Sequence, residues 1–374
     1  RRACREVVAA ADPAGAASAG HAGGAPAVGL AAVLSPAELP SDVHRLELPS
    51  PFAIGDVNCY LLDGDRVALV DPGPRMRETM EALELGLRDL GRALSDIDAI
   101  FLTHMHHDHV GLAAEVRDRS GAKVVALDTL AAFLADVDAA LDADDAYAVE
   151  TMRRHGVAPD VADSLNQLSR AYRRFTGSVQ VDEVLAPGGT VALGSRAFDV
   201  HLLPGHSPTD TVLHDPAGRL LVAGDHLLPR VSSNPVAHAP IGVHDPVACA
   251  SSAERPAPLV DYLASLEVSA RLPADAVIPG HGEPFRGHAD LAASRRALHL
   301  RRAQRILREV DGERTAHDIA GRLWRRIPVS QAYLALSETL AHLDLLAADG
   351  RVEGVEDRDL IVRWRQAEAP AAAA

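Results

Sequence analysis

Between Phe101 and Gly111 the chain reads FLTHMHHDHVG, placing His104, His106, His107, Asp108 and His109 within six consecutive positions. Imidazoles and a carboxylate at this density suit Zn²⁺ or another borderline divalent ion, and the apolar run before them reads as a strand ending in a tight turn. Ligands at the end of a strand and in the turn beyond it can face one cavity from two sides. Similar events recur downstream. HLLPGHSPTD delivers His206 after an apolar run and a Pro-Gly turn, LLVAGDH delivers Asp225, and AVIPGHGEPF delivers His281. Four strand ends in one layered fold can converge on a single edge. Taken alone, the first run could also be a decorated turn, the lesser of the two readings; the repetition argues further for a site.

The elements that must hold these residues follow from local pattern. From Val43 the segments HRLELP, VNCYLLDGD and RVALVDPGP are short strand-like runs punctuated by Gly, Pro and Asp. Apolar residues at helical spacing follow in RMRETMEALELGLRDLG, which stops at Gly91. IDAIFLTH then reads as a buried strand, GLAAEVRDR as a helix and AKVVALD as a strand. This alternation predicts an α/β layered fold. Residues 128–176 break the rhythm with three helical segments and no strand, an insert that serves either as a lid or as a structural helical pair. Past His288 the order is three helices and a short hairpin, the order a winged helix-turn-helix shows.

Thr103, His104, His106, Asp108 and His109, followed by His206, Asp225 and His281, give a motif set that resembles the metallo-β-lactamase superfamily over about residues 43–288. Asp71 in LVDPG matches an early acidic turn of that family. The resemblance implies an αββα sandwich of two similar halves with metals at one edge of the sheets. It further implies one ion held by His104, His106 and His206, a second held by Asp108, His109 and His281, and Asp225 bridging them. Two such ions, Zn²⁺ foremost with Fe or Mn as alternatives, would share a water turned to hydroxide at neutral pH, which Asp108 orients as the catalytic carboxylate. Asp71 and Thr103 are expected to support the ligands by hydrogen bonding. His107 falls at a variable position and is expected to be solvated.

The implied domains are an Ala/Gly-rich flexible extension over residues 1–35, a catalytic domain over 36–288 carrying the insert 128–176, and a winged-helix-like domain over 289–374. The loop after Asp225 offers Arg230, Ser232, Ser233, Asn234 and His238 as candidate substrate contacts, and His226 as a substrate contact, proton shuttle or supporting hydrogen bonder. Cys59, within a strand, reads as a core thiol.

The formal charge of −15 argues against a chain built to coat nucleic acid. Three widely spaced cysteines make neither a disulfide framework nor a thiolate zinc site, so a reducing, cytoplasmic setting is expected. No apolar run approaches the roughly 18 to 20 residues that span a bilayer. Lactamase types with Asn, Gln or Cys among the ligands do not match. The full His and Asp set looks most similar to glyoxalase II-like hydrolases, although GHSPTD departs from the GHTxGH usual there and no basic glutathione-binding tail follows. The reading is a dinuclear hydrolase of a small acyl substrate, a thioester or ester. An endoribonuclease and an iron-dependent redox enzyme are the alternatives. Arg295, Arg296, Arg301, Arg302, Arg305 and Arg308 could track RNA, but the presumptive recognition helix from Ser330 to Asp349 carries no Lys or Arg. The tail is therefore expected to pack or dimerise and help close the site.

Overall fold

The structure is a computed structural model, and it describes residues 31–251, 255–324 and 332–367. The first sheet holds β2 (Val43–Leu48), β3 (Val57–Leu62), β4 (Ala68–Val70), β5 (Ala99–Leu102), β6 (Lys123–Leu127) and β7 (Glu183–Leu185) in that spatial order. The second is ordered β1 (Ala32–Val33), β13 (Phe285–Arg286), β12 (Ala276–Pro279), β11 (Leu220–Gly224), β10 (Thr211–Asp215), β9 (Arg196–Leu202), β8 (Thr190–Leu193). Most of these strands are near-continuous apolar runs because both of their faces are covered. In β3, for example, Cys59 and Leu61 face one core while Tyr60 and Leu62 face another.

Three apolar layers result. Tyr60, Phe101 and Val125 meet Phe198, Val200 and Ile278 between the sheets. Outside the first sheet, α1 (Arg77–Asp89) and α3 (Ala113–Ser120) contribute Leu83, Leu87 and Val116 to a second core. The short α2 (His107–Val110) carries the histidine motif. Outside the second sheet, α8 (Pro258–Ser269) and α9 (His288–Glu309) cover Val212, Leu221 and Val277 with Leu259, Tyr262 and Leu291. The short α7 (Pro246–Ser251) precedes them. The helix-sheet-sheet-helix order is the expected fold class. Helix α1 ends where its pattern does, with Gly91 at φ 71° and its N–H bonded to the Arg88 carbonyl.

The predicted insert is helical: α4 (Asp128–Ala135), α5 (Val137–Arg154) and α6 (Pro159–Tyr172). Its Met152, Val157, Ala162 and Leu165 share a fourth core with α9, α10 (Ala316–Leu323), α11 (Ala332–Ala348) and the β14 (Val352–Glu356)/β15 (Val362–Gln366) hairpin. Thr315 and Asp318 cap α10 reciprocally, each side chain accepting from the other's backbone N–H at 3.1 Å. One expectation is corrected in part. Residues 31–35, assigned to the extension, join the fold: Ala32 and Val33 pair with Arg286 and Phe285, and Leu34 is buried. An alanine-rich composition hid that edge strand, because backbone pairing needs little from the side chains. Residues 1–30 lie outside the described residues.

Candidate metal centre

Topology brings the ligand residues to one edge. Strands β4 and β5 are parallel, so Asp71 and the motif from His104 leave the first sheet at the same end. Strands β11 and β12 are parallel as well, and β9 shares their direction because β10 runs against both of its neighbours. His206, Asp225 and His281 therefore leave the second sheet together. His104, His109, Asp225 and His281 are each at most 5% exposed.

The ring nitrogens and carboxylates converge. His106 Nδ1 lies 3.1 Å from His104 Nε2 and 2.9 Å from His206 Nε2. His281 Nε2 lies 3.3 Å from Asp108 Oδ2 and 3.6 Å from Asp225 Oδ2, and His109 Nε2 lies 3.5 Å from Asp225 Oδ1. Asp225 also faces His206 Nε2 at 3.6 Å, so it stands between the two clusters.

Each histidine has its remaining ring nitrogen committed elsewhere. His109 Nδ1 is 2.9 Å from Asp71 Oδ2, and His104 Nδ1 is 2.9 Å from Thr103 Oγ1, whose hydroxyl donates to Asp71 Oδ2 at 2.6 Å. His206 Nδ1 meets the Asn234 carbonyl at 3.2 Å, His281 Nδ1 the Asp56 carbonyl at 2.8 Å, and His106 Nε2 the ring of His238 at 3.3 Å. These bonds protonate the outer nitrogens and turn lone pairs inward, the arrangement metal-ligating histidines adopt. Within the cluster, His109 Nε2, Asp225 Oδ1 and His281 Nε2 are buried without a hydrogen-bond partner. Ring nitrogens and carboxylate oxygens that converge in a buried gap fit cations. The groups His104/His106/His206 and Asp108/His109/His281 are thus able to bind metal ions.

Electrostatics agree with this donor set. Burial, with the neighbouring imidazoles, holds His104 and His106 well below the usual histidine range, leaving them neutral. Burial alone would raise Asp108 and Asp225, but His109 and His281 outweigh it; the same carboxylates raise both histidines, so the metal-free cluster holds protons there that a bound cation would displace.

Asp71 and Thr103 lie behind His109 and His104, to which they are hydrogen-bonded. Asp71 takes φ 54°, a left-handed conformation uncommon outside glycine and asparagine-like residues, and Thr103 N–H donates to its Oδ1 at 2.9 Å. His107 stays out of the cluster, its ring stacked on Phe52 with centroids 6.5 Å apart.

The substrate-contact expectations for the loop after Asp225 need correction. His226 is 1% exposed, its Nε2 lies 3.0 Å from Ser269 Oγ on α8, and its ring packs edge-on against Tyr262. It is a core histidine held near 3 by burial. Ser233 donates to the Asp225 carbonyl, Asn234 orients His206 through its carbonyl, and Ser232 Oγ sits 3.0 Å from His299 Nε2. His238 Nδ1 is 3.0 Å from Asp144 Oδ2, placing that ring between the insert and His106. The loop folds back on the end of β11, where Ser232, Ser233 and His238 are engaged by hydrogen bonds, while the Asn234 side-chain oxygen is buried without a partner. Arg230 is exposed and hydrogen-bonds none of the seven candidate ligands.

Three contributors carried no local signal. Asp144 lies in an acidic helical run of α5. Asn58 donates to the Pro279 and Gly282 carbonyls at 2.8 and 2.7 Å, pinning the turn that presents His281. Gly280 admits no side chain, because a Cβ there would stand 2.2 Å from Asp225 Oδ1.

Sheets covered by helices, with a metal-binding cluster at their shared edge, define a class of metal-dependent hydrolase. The chain belongs to the metallo-beta-lactamase superfamily, whose profile matches residues 53–281, and the profile of the metallo-beta-lactamase-like C-terminal domain matches residues 304–367. It is 32% identical over 310 residues to the probable metallo-hydrolase YqjP of Bacillus subtilis, covering 82% of this chain and 93% of that one. A crystal structure of a beta-lactamase domain protein from Burkholderia ambifaria superposes with a TM-score of 0.72 at 27% identity, over 92% of this chain and 97% of the other. A shorter stretch of 70 residues, 18% of this chain and 28% of the relative, is 39% identical to a hydroxyacylglutathione hydrolase of a Bradyrhizobium strain.

Proposed function

We propose that the protein is a dinuclear hydrolase of acyl compounds, thioesters or esters. The observation that carries the reading is the meeting of seven inward-facing ligand residues, their outer nitrogens already bonded. In this reading His104, His106 and His206 hold one divalent ion, Asp108, His109 and His281 the other, and Asp225 lies between. Bound there, a pair of ions, Zn²⁺ being the best match to the donor set, supplies Lewis acidity and a water acidified to near pKa 7. The chain's own part is to fix the geometry. Asp71 and Thr103 hold two rings, and the ionised Asp108 stands beside His281 to accept and orient a proton.

Two features favour a compact acyl substrate over RNA. Beside the motif, Phe52, Tyr172 and Phe175 form an aromatic group, with ring centroids 5.6 Å apart from Phe52 to each of the others. That group offers an apolar wall to an acyl chain. Four of the six arginines of α9, by contrast, have partners within the fold: Arg302 pairs with the buried Glu338, Arg296 with Glu267, Arg305 donates to the Leu323 carbonyl, and Arg295 donates to the Leu228 and Pro229 carbonyls, while Arg301 and Arg308 are exposed. The helix Ala332–Ala348 contains no Lys or Arg.

The test is hydrolysis of a thioester and ester panel by Zn²⁺-loaded protein, with single-stranded RNA as the competing substrate and metal content read in parallel. Wild type is expected to bind two equivalents and cleave thioesters, and Asp108→Ala to lose one equivalent and at least a hundredfold in kcat. Retention of both ions and full activity in the variant would sink the reading. RNA cleavage with inert thioesters would transfer the site to nuclease chemistry.

A further inference from the structure

The wall of the metal centre contains a chain of groups that reaches out to the helical insert. His106 turns Nδ1 toward His104 and His206, which leaves Nε2 to carry the proton. That Nε2 faces His238 Nε2 at 3.3 Å, and His238 Nδ1 faces Asp144 Oδ2 at 3.0 Å. With a cation on His106 Nδ1, one proton assignment satisfies every atom of this chain of groups. His106 donates to His238, and His238 donates to the carboxylate. The other oxygen of Asp144 accepts the Ala239 N–H at 2.8 Å. On the near side of His238, Tyr333 Oη of α11 donates to the Ala237 carbonyl. The backbone on both sides of His238 is thus bolted, once to α5 of the insert and once to the C-terminal helices. A ring held so firmly, 12% exposed and aimed at a single ligand nitrogen, has little freedom to reach a substrate.

We infer that Asp144 and His238 are positioning residues for the metal centre, which fix the tautomer and ring orientation of His106 from the insert side. The insert then acts as a buttress that completes the ligand set. This inference rests on the two-ion reading above. A carboxylate behind a histidine raises the basicity of the ligand beyond it, and loss of such partners costs ten- to a hundredfold in metal affinity.

Asp144→Asn is the discriminating variant. Its amide oxygen still accepts from Ala239, but its NH₂ presents a donor where His238 needs an acceptor. His238 must then move its proton to Nε2, where it opposes the proton of His106. His238→Gln is the complement, since its oxygen accepts from His106 and its NH₂ donates to Asp144 in the original order. The experiment titrates Zn²⁺ into metal-free full-length protein against a chelator and records the thermal melting of the metal-free state.

Asp144→Asn is expected to weaken one of the two zinc equivalents ten- to a hundredfold, with the other equivalent and the metal-free melt little changed. His238→Ala should do the same, His238→Gln should restore most of the affinity, and Asp144→Asn should add nothing on a His238→Ala background. Wild-type affinity for both equivalents in Asp144→Asn overturns the inference, as does additivity of the two losses. So does a weakening that tracks the metal-free melt and is as large in His238→Gln as in His238→Ala. Failure of the wild type to bind two equivalents would instead remove the two-ion reading, so the two failures are distinct.

Discussion

Asp71 accepts from Thr103 N–H, from Thr103 Oγ1–H and from His109 Nδ1, and so orients two candidate ligand histidines with one carboxylate, His109 directly and His104 through Thr103. Asp71→Asn replaces one acceptor with a donor against that set, and metal affinity is expected to fall ten- to a hundredfold by chelator competition. Gly280→Ala should do comparable damage by a different route. The new methyl meets the Asp225 carboxylate and the His109 ring at 2.2 and 2.7 Å, so bound metal should be lost while far-UV circular dichroism is retained. The candidate ligands were legible because each follows a strand and a turn, a signal written in ten consecutive residues. Asp144, Asn58 and Gly280 were not. Their roles depend on partners 94, 221 and 55 or more positions away, as in the bonds from Asp144 to His238 and from Asn58 to Pro279. Ser233 and His238, read in sequence as substrate contacts, are engaged within the protein, which was hidden for a related reason: a polar loop looks the same in sequence whether its groups face a ligand or the protein's own groups.

At the scale of elements, the strands and the insert were visible in periodicity, while the partnership between insert and C-terminal helices was not. Their shared core joins Met152 and Leu165 to Ile306, Leu340 and Trp364. Ile306→Ala, at a fully buried position, should cost about 2 to 5 kcal/mol, read as a shift in the urea midpoint. Because the core is common, hydrogen exchange should accelerate together in residues 142–165, 303–323 and 332–346, far apart in sequence. Exchange confined to the C-terminal helices would show that the insert is stable without them. A second link runs through polar groups. Ser232 meets His299, His299 Nδ1 is 3.3 Å from His342 Nε2, and His342 Nδ1 donates to the Glu338 carbonyl at 2.7 Å. All four ring nitrogens are satisfied, which makes this group a hydrogen-bonded strut rather than a vacant ligand set.

For the whole molecule, buried neutral histidines make acid the weak direction. Burial holds both His226 and His299 near 3, against an ordinary value of 6.5. Between those values the unfolded chain binds protons that the folded chain refuses, so stability is full above the unfolded value and falls as pH drops below 6.5. From pH 7 to 5 each contributes a loss of about 2 kcal/mol. Denaturant titrations should show it, and His299→Gln should remove one proton's worth of the slope. The two sheets also divide the chain cleanly. Residues 43–185 build one, residues 190–286 with the edge strand Ala32–Val33 build the other, and the exposed turn at Gly188 lies between them. Each half supplies part of the ligand set. A chain severed at that turn would yield two fragments that recognise one another through interlocking cores, and whose reassembly a metal ion at the cluster would promote as a removable rivet.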